Sequence, residues 1–385
     1  MSDFVPFSRP AIGTEEEEAC LRVLRSGWLT TGKEALEFEK EFAEYTQTPC
    51  ALSVNSATNG IMLALDAFGI GADSAVLTTP YTFVSTALAA VHLGADIVYA
   101  DIEKDSYSIS PDEIEKQLKA HKNIRAVIPV HIAGNVCDMR AIIGIAKQYG
   151  AVVIEDAAHA FPSRTALGFA GTLGDAGVFS FYATKTITTG EGGMIAVKDD
   201  DAAKRIAIMR MHGIDRPVWN RYTQACASWK YDVVDAGFKC NLPDILAAIG
   251  REQLKKAQAF FDDRKETVMR YNEAFKEYDF LRLPPDGEGN AWHLYLLRVV
   301  PEKLTVSREE FAAALQQKGI GVSMHFIPHF EMTWFKKKYA LRAEDFPEAA
   351  QKARETISLP LWPGMGDLRE RVIGAVIGTG KRYAK

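Results

Sequence analysis

Short apolar runs alternate with longer segments of helical periodicity along the first half of the chain. The runs lack a regular alternation of apolar and polar residues, so we expect strands that are covered on both faces. They begin at Ala75, Ala95, Ile124, Ala151, Ala176 and Gly193. Repetition of strand, helix and strand predicts an α/β domain with a mostly parallel sheet.

Helix-start signals accompany this pattern. Thr14 with Glu17, and Ser110 with Pro111 and Glu113, have the spacing of a capping box. We therefore expect a helix to begin at each of these two places.

The pattern changes in the last third of the chain. A long helix is predicted from about Pro243 to Phe275, and strands follow it. Ser307 with Glu310 then predicts a capped helix that stops at Gly319. These elements indicate a second, smaller unit of α+β type.

Length and composition support two units. A chain of 385 residues exceeds what one hydrophobic core usually holds, and 47% of its residues are hydrophobic. We predict a large domain of residues 1–255 and a small C-terminal domain of residues 256–385. With 45 basic and 50 acidic residues and no basic block, nucleic acid and anionic membranes are not expected partners, whereas small molecules are.

The chain shows no targeting or membrane signal. Its N-terminus lacks a basic region followed by a long apolar run, and no stretch approaches the roughly 20 apolar residues of a spanning helix. The five cysteines are scattered without a C-x-x-C pair, as is typical of reduced thiols. We expect a soluble, cytoplasmic protein.

Candidate chemistry appears where two predicted strands end. Glu155, Asp156 and His159 follow one strand in "VVIEDAAHA", and ligands collect at this end of such sheets. Taken alone, an acidic residue there is more often a helix cap or a solvated turn. Lys185 follows the next strand, between small and hydroxyl residues. An ordinary surface lysine is the alternative.

Three requirements of pyridoxal 5'-phosphate (PLP) match this layout. A carboxylate such as Asp156 keeps the pyridine nitrogen protonated. A desolvated amine such as Lys185 can react with the aldehyde. The phosphate needs N–H groups at a helix N-terminus, which Ser56, Ala57 and Thr58 supply.

Other cofactors match less well. There is no P-loop run or G-x-S-x-G elbow, and "GIGADS" from Gly69 lacks the third glycine of a dinucleotide fingerprint. His325 and His329 have the i, i+4 spacing of a metal pair, but Pro328 argues against the helix that such a pair needs. We predict no metal site.

The motifs together resemble a known family. "SGWLTTG", "NSAT", "TTPYTFVSTA", "PVHIAG", "VIEDAAHA", "FSFYATKTITTGEGG" and "GFKCNLPDILAAIGREQL" are similar to those of the PLP-dependent nucleotide-sugar aminotransferases of fold type I. The resemblance runs from about Phe7 to "ISLPLWPGM". It is strongest to the branch that forms UDP-4-amino-4-deoxy-L-arabinose. It implies an aspartate aminotransferase-like large domain with a mostly parallel sheet, followed by a smaller α+β domain.

The resemblance implies a role for each matching position. Lys185 would bond to the cofactor and move the proton as general base and acid, and Asp156 would hold the pyridine nitrogen. His159 would lie beside the ring, or else be a buried histidine satisfied by backbone. Phe83 would stack on the ring, or else belong to the core. Phosphate binding is implied for Ala57, Thr58 and Ser180.

A shared active site is also implied. Asn241 matches an asparagine that reaches the phosphate of the neighbouring subunit, so we expect a homodimer whose monomers are inactive. Substrate contacts, or ordinary surface positions, are expected at Trp28, Thr30, Lys239, Trp219, Arg221, His325 and His329.

The implied reaction is a ping-pong transfer. Glutamate or glutamine would give its amino group to form pyridoxamine phosphate, and a nucleotide-linked keto sugar would accept it. The product would serve cell-surface polysaccharide or lipid A-type sugar biosynthesis. Thr186 and Cys240 depart from the usual pattern, so a 4-keto-pentose, a 4-keto-6-deoxyhexose and a 3-keto amino sugar stay open.

Two alternatives stand beside this reaction. Some relatives are sugar dehydratases in which histidine replaces the reactive lysine, and Lys185 argues against that chemistry. A cofactor-free regulatory or scaffold protein is the other alternative. Retention of both Asp156 and Lys185 argues against it.

Overall fold

A central sheet of seven strands organises the N-terminal part of the chain. The computed structural model describes residues 4–215 and 230–385. In sheet order the strands are β1, β9, β8, β5, β4, β2 and β3. Their bounds are Cys50–Val54 (β1), Ala75–Thr78 (β2), Asp96–Tyr99 (β3), Ile124–Val127 (β4), Val152–Asp156 (β5), Ala176–Ser180 (β8) and Gly193–Val197 (β9).

The sheet is mostly parallel. β3, β2, β4, β5 and β8 run parallel to their neighbours, whereas β9 lies antiparallel between β8 and β1. Neighbouring residues of β8 enter different hydrophobic clusters, Val178 on one face and Phe179 on the other. This two-sided cover explains the unbroken apolar runs and confirms the α/β prediction.

Helices connect and cover these strands. They are Thr14–Ser26 (α1), Lys33–Thr46 (α2), Ala57–Ala67 (α3), Ser85–His92 (α4), Pro111–Ala120 (α5), Met139–Tyr149 (α6) and Asp200–Met209 (α7). A separate two-stranded hairpin consists of Arg164–Thr165 (β6) and Gly168–Phe169 (β7).

The first predicted capping box is wrong by one residue. Gly13, not Thr14, is the N-cap of α1, and its N–H donates to Glu16 Oε2 at 2.8 Å. Glu16 is buried and paired with Lys256, which holds its carboxylate over the helix start in place of Glu17. Interactions across the fold therefore decide which glutamate closes the box.

The other two helix starts lie where predicted. Ser110 caps α5 by accepting from the Glu113 N–H, but the Glu113 carboxylate pairs with Lys116 instead of returning to the cap. The box of Ser307 with Glu310 is complete.

The C-terminal part begins with a helix of 32 residues, Asp244–Phe275 (α8). A three-stranded antiparallel sheet follows, formed by Leu281–Arg282 (β10), Tyr295–Val299 (β11) and Thr356–Leu359 (β12). The remaining helices are Arg308–Gln317 (α9), Thr333–Tyr339 (α10), Pro347–Glu355 (α11) and Leu368–Tyr383 (α12).

The predicted boundary at residue 255 falls inside α8, and the division into two domains stays a prediction. None of the helices in the described ranges has the length and apolar character to cross a bilayer.

Candidate active site

A cavity of about 360 Å³ opens where β5 and β8 end and α3 begins. Both strands end at this edge because parallel neighbours share their carboxyl ends. Nine of the residues predicted from the sequence line the cavity: Ser56, Ala57, Thr58, Phe83, Asp156, His159, Ser180, Lys185 and His325.

Asp156 is the last residue of β5 and is buried in the wall of this cavity. Its Oδ2 accepts a hydrogen bond of 2.7 Å from the Thr86 hydroxyl, and its Oδ1 accepts from the Ala158 N–H at 3.2 Å. Burial raises the pKa of Asp156, while these donors and the nearby Lys185 oppose the rise. The two donors favour the ionised carboxylate that a protonated ring nitrogen needs.

Glu155, one residue earlier, is not in the cavity. Its carboxylate accepts three backbone hydrogen bonds of 2.7–2.8 Å from Gly171, Leu173 and Gly174. It also forms a fully buried pair with His131 Nε2 at 2.8 Å. Successive strand residues point to opposite faces of the sheet. Glu155 therefore anchors the loop before β8, whereas Asp156 lines the cavity.

Lys185 lies in the loop after β8. Within the part of the chain that the structure describes, its Nζ has no hydrogen-bond partner. Burial lowers the pKa of this amine from 10.5 to about 8, with Asp156 opposing the shift. A fraction of the amine is therefore neutral near physiological pH, which a nucleophilic lysine requires.

The first turn of α3 forms another wall. Ser56 is its N-cap and accepts from the Asn59 N–H at 3.2 Å, and the N–H groups of Ala57 and Thr58 lie in the unpaired first turn. Gly193 permits this position, because a Cβ there would lie 2.9 Å from Ala57 N. Ser180, at the end of β8, also faces the cavity. This corner is suited to a phosphate.

Aromatic and imidazole rings complete the cavity. Phe83 is 57% exposed, so its ring is available to a flat ligand. The His159 ring stacks on Phe326 with centroids 5.6 Å apart and lies 4.4 Å from the His293 ring. His159 Nδ1 accepts from the Ala133 N–H at 3.2 Å.

Burial and the nearby Lys185 lower the pKa of His159 well below its usual value. We infer a neutral imidazole whose remaining hydrogen is on Nε2. Backbone satisfies one ring nitrogen, and the ring lines the cavity, so a position beside the cofactor ring stays a prediction.

Four predicted residues lie together elsewhere. Asn241 donates to the Thr31 hydroxyl at 2.6 Å and accepts from Lys239, while Trp28 Nε1 donates to the Thr31 carbonyl at 3.3 Å. Thr30 is the adjacent residue and is exposed. None of these four lines the cavity of its own chain. Trp219 and Arg221 lie outside the described residues.

The expectation for His329 needs a correction. Its ring is buried, stacks on Phe335 at 4.1 Å and bonds through Nδ1 to the Tyr99 hydroxyl at 3.0 Å. Pro328 turns the chain so that only His325 of the pair reaches the cavity. His329 is therefore a packing residue of the core in this structure.

Three residues beside the cavity were not predicted. Thr86 orients Asp156, and the Thr82 hydroxyl lies 2.9 Å from the Thr86 hydroxyl. The i, i+4 spacing of the two threonines in "YTFVSTA" could have suggested that their hydroxyls are hydrogen-bonded. His293 packs against His159, but nothing in the spacing of "NAWHLYLL" indicates this.

The residues present fit PLP. A buried carboxylate, an amine with a lowered pKa, an open aromatic face and a helix N-terminus surround one cavity. Among the described residues, no cluster of three or more His, Cys, Asp or Glu side chains could hold a metal ion.

The chain is similar to known proteins over nearly its whole length. The DegT/DnrJ/EryC1/StrS aminotransferase family matches residues 10–377. The spore coat polysaccharide biosynthesis protein SpsC of Bacillus subtilis (strain 168) is 41% identical over 367 residues, which are 94% of each chain.

Solved structures are similar over the whole chain. The proposed sugar aminotransferase Spr1654 of Streptococcus pneumoniae, in its PLP form, has a TM-score of 0.90 at 28% identity and covers 98% of this chain and 99% of its own. Its PMP form gives the same values. Helicobacter pylori PseC, an aminotransferase involved in pseudoaminic acid biosynthesis, has a TM-score of 0.90 at 26% identity, covering 99% of this chain and 100% of its own.

These matches support a PLP-dependent sugar aminotransferase of fold type I. The branch that forms UDP-4-amino-4-deoxy-L-arabinose is not singled out by them. The chain belongs to the DegT/DnrJ/EryC1/StrS aminotransferase family.

Proposed function

We propose that this protein moves an amino group from glutamate or glutamine to a nucleotide-linked keto sugar in the cytoplasm. One observation carries the proposal: Lys185, an amine with a pKa near 8, and Asp156, a buried carboxylate, line the same cavity. This pairing of a reactive amine with a fixed anion is what PLP chemistry requires.

When bound, PLP supplies an electron-withdrawing ring that makes the substrate C–H bond acidic. Asp156, oriented by Thr86, would hold the proton on the ring nitrogen. The first turn of α3 with Ser180 would bind the phosphate. Lys185 Nζ would accept the proton from the substrate carbon and donate it to the carbon on the other side of the transferred nitrogen.

His159 and Phe83 would fix the plane of the ring. The neutral imidazole of His159 lines the cavity, and Phe83 presents an open aromatic face. Ring orientation matters because the bond to be broken must stand perpendicular to the ring system. We assign these two side chains to positioning.

A homodimer with shared sites is part of the proposal. Asn241, Lys239, Trp28 and Thr30 form one cluster that misses the cavity of its own chain. A second subunit could bring this cluster to the phosphate and sugar of its neighbour. Mixing two inactive variants, one with Lys185→Ala and one with Asn241→Ala, should then restore up to about a quarter of the activity if subunits exchange randomly.

Named relatives indicate the kind of product. SpsC is named for spore coat polysaccharide and PseC for pseudoaminic acid biosynthesis. We therefore propose a product for a cell-surface glycan. Polysaccharide and lipid A-type sugars both fit this proposal.

The visible spectrum of the protein with added PLP tests the proposal. Wild type should show a bound-cofactor band that glutamate bleaches, and a keto-sugar nucleotide should restore it. Lys185→Ala should bind PLP without the lysine-dependent band, whereas Lys147→Ala, at an exposed position on α6, should behave as wild type. A wild type that binds PLP but is never bleached by any amino donor would contradict the proposed reaction.

A further inference from the structure

A second, much smaller cavity adjoins Lys185. It has a volume of about 20 Å³ and shares Lys185 and His293 with the larger cavity. Its walls come from the segment before α1, the loop after β8, the helix α8, the segment before β11 and the segment after β12. This volume suffices for one water-sized group, a halide ion or a carboxylate oxygen.

Arg264 of α8 is the main polar group of this cavity. Its side chain is 2% exposed, and neither Nε nor Nη2 has a hydrogen-bond partner among the described residues. Nη1 makes only a long contact of 3.4 Å to the Thr186 carbonyl. A buried guanidinium with unmet donors is destabilising unless an anion or acceptor compensates it.

The neighbouring carboxylate of Asp263 compensates this charge only in part. Asp263 is adjacent in sequence, but its Oδ2 accepts from the Gly364 N–H at 3.0 Å. Burial lowers the pKa of Arg264 to about 9, and Asp263 opposes this only in part. The guanidinium therefore lacks a direct counterion within the described ranges.

Apolar residues form part of the lining of the small cavity, and its other polar residues are cationic or carry hydrogen-bond donors. Arg9 lines it and forms no ion pair with any described residue. The hydroxyl residues Ser8, Thr184 and Thr186 line it as well, and no acidic residue does so in the described part of the chain. Such a lining repels cations and attracts anions.

We propose that the cavity between Arg9 and Arg264 binds one small anionic group. Guanidinium groups bind carboxylates and halides through charge-assisted hydrogen bonds, and carboxylates can bind in a bidentate manner. The group is either a free halide ion or the carboxylate of an amino donor. The site itself does not depend on the proposed function, whereas the second source rests on it.

Anion binding here has a consequence for Lys185. The lysine side chain lines the same cavity, so a bound negative charge favours its protonated form and raises its pKa. An anion would thus reduce the fraction of neutral amine. The cavity would act as a point at which ions or substrate adjust the reactivity of Lys185.

Chloride NMR on the PLP-loaded protein tests the site. Wild type should broaden the chloride signal, and Arg264→Met should weaken chloride binding by about tenfold or more, as expected for lost hydrogen bonds to a charged group. Arg264→Lys, which keeps the charge, should retain part of the binding. Equal broadening by wild type and Arg264→Met, or none by wild type, would overturn the proposal.

A variant at an exposed position controls for the possibility that Arg264→Met fails to fold. Arg9 is exposed, so Arg9→Gln should fold normally and bind chloride more weakly, whereas Arg22→Gln on α1 should not change binding. If Arg264→Met fails to fold and Arg9→Gln binds chloride as wild type does, the proposal is also overturned.

Glutarate, an unreactive dicarboxylate, distinguishes the two sources. Displacement of chloride by glutarate would identify the substrate carboxylate as the occupant, and glutarate binding without displacement would identify a free-ion site. Neither result depends on amino transfer. Failure of the aminotransferase proposal would appear separately, as a cofactor band that amino donors never bleach.

Discussion

The hydroxyl of Thr86 donates a 2.7 Å hydrogen bond to Oδ2 of Asp156, linking the start of α4 to the end of β5. Both groups are buried beside the cavity. The hydroxyl stabilises the charged form of a carboxylate that burial alone would push toward protonation. Thr86 therefore favours the charged carboxylate that the proposed role of Asp156 requires.

Replacing Thr86 by valine should weaken cofactor binding without changing the shape of the site. Loss of a hydrogen bond to a charged group corresponds to about a tenfold to hundredfold weaker PLP affinity. The pKa of Asp156 should rise further in Thr86→Val, so affinity should fall at a higher pH than in wild type as the solution is acidified. Spectral titration with PLP across pH measures both effects.

Thr305→Val is the matched control, because its hydroxyl bonds to the Tyr383 carbonyl at an exposed position. Equal PLP affinities for Thr86→Val and wild type at all pH values would show that Asp156 does not need this donor.

Loss of charge at Glu155 should lower stability, whereas loss of charge at Asp156 should lower PLP affinity. Glu155→Gln breaks the buried pair with His131 and should lower the free energy of unfolding by about 3–5 kcal/mol. Asp156→Asn should leave the fold nearly as stable but reduce PLP affinity strongly. Chemical denaturation and PLP titration of both variants separate the two effects. Strong loss of PLP affinity in a stable Glu155→Gln protein would contradict this division.

Lys185 should make the stability of the cofactor-free protein vary with pH in the alkaline range. The pKa of its amine is about 8 in the folded protein and 10.5 when unperturbed. Between these values the unfolded state binds the proton that the folded state has released, so stability rises with pH.

The contribution amounts to at most about 3 kcal/mol over this window. Lys185→Met should remove it. Denaturation curves at several pH values between 8 and 10.5, compared for the two proteins, give the difference. Parallel pH profiles would mean that the amine is not desolvated.

Gly193→Ala should disturb the proposed phosphate site at the first turn of α3. The added Cβ would lie 2.7 Å from the Phe179 carbonyl and 2.9 Å from Ala57 N, so α3 or β8 must move. We expect weaker binding of both PLP and inorganic phosphate. Gly144→Ala on α6 is the control, because a Cβ there meets nothing within 4 Å and should stabilise the helix by about 0.5–1 kcal/mol.

The sequence was most informative where chemistry and local pattern coincide. Asp156 and Lys185 each follow an apolar run, and the ends of parallel strands must meet at one edge of the sheet. Their shared cavity could therefore be predicted. Ser307 with Glu310 was equally predictable, because a capping box needs only neighbours along the chain.

Contacts between distant segments were not predictable in the same way. Glu16, rather than Glu17, closes the first helix because Lys256 lies beside it in space. His293 joins His159 only after the C-terminal part packs onto the sheet. The unmet donors of Arg264 likewise depend on the arrangement of five separate segments.

The alternation of Glu155 and Asp156 has an evolutionary consequence. Glu155 secures the architecture and Asp156 has the proposed role in the reaction, although a single peptide bond joins them. A duplicated gene could replace Asp156, lose its enzymatic capacity and still encode a stable protein. In a comparison of homologous sequences, a retained Glu155 next to a substituted Asp156 would mark proteins that keep the fold, have lost the enzymatic activity and can acquire another function.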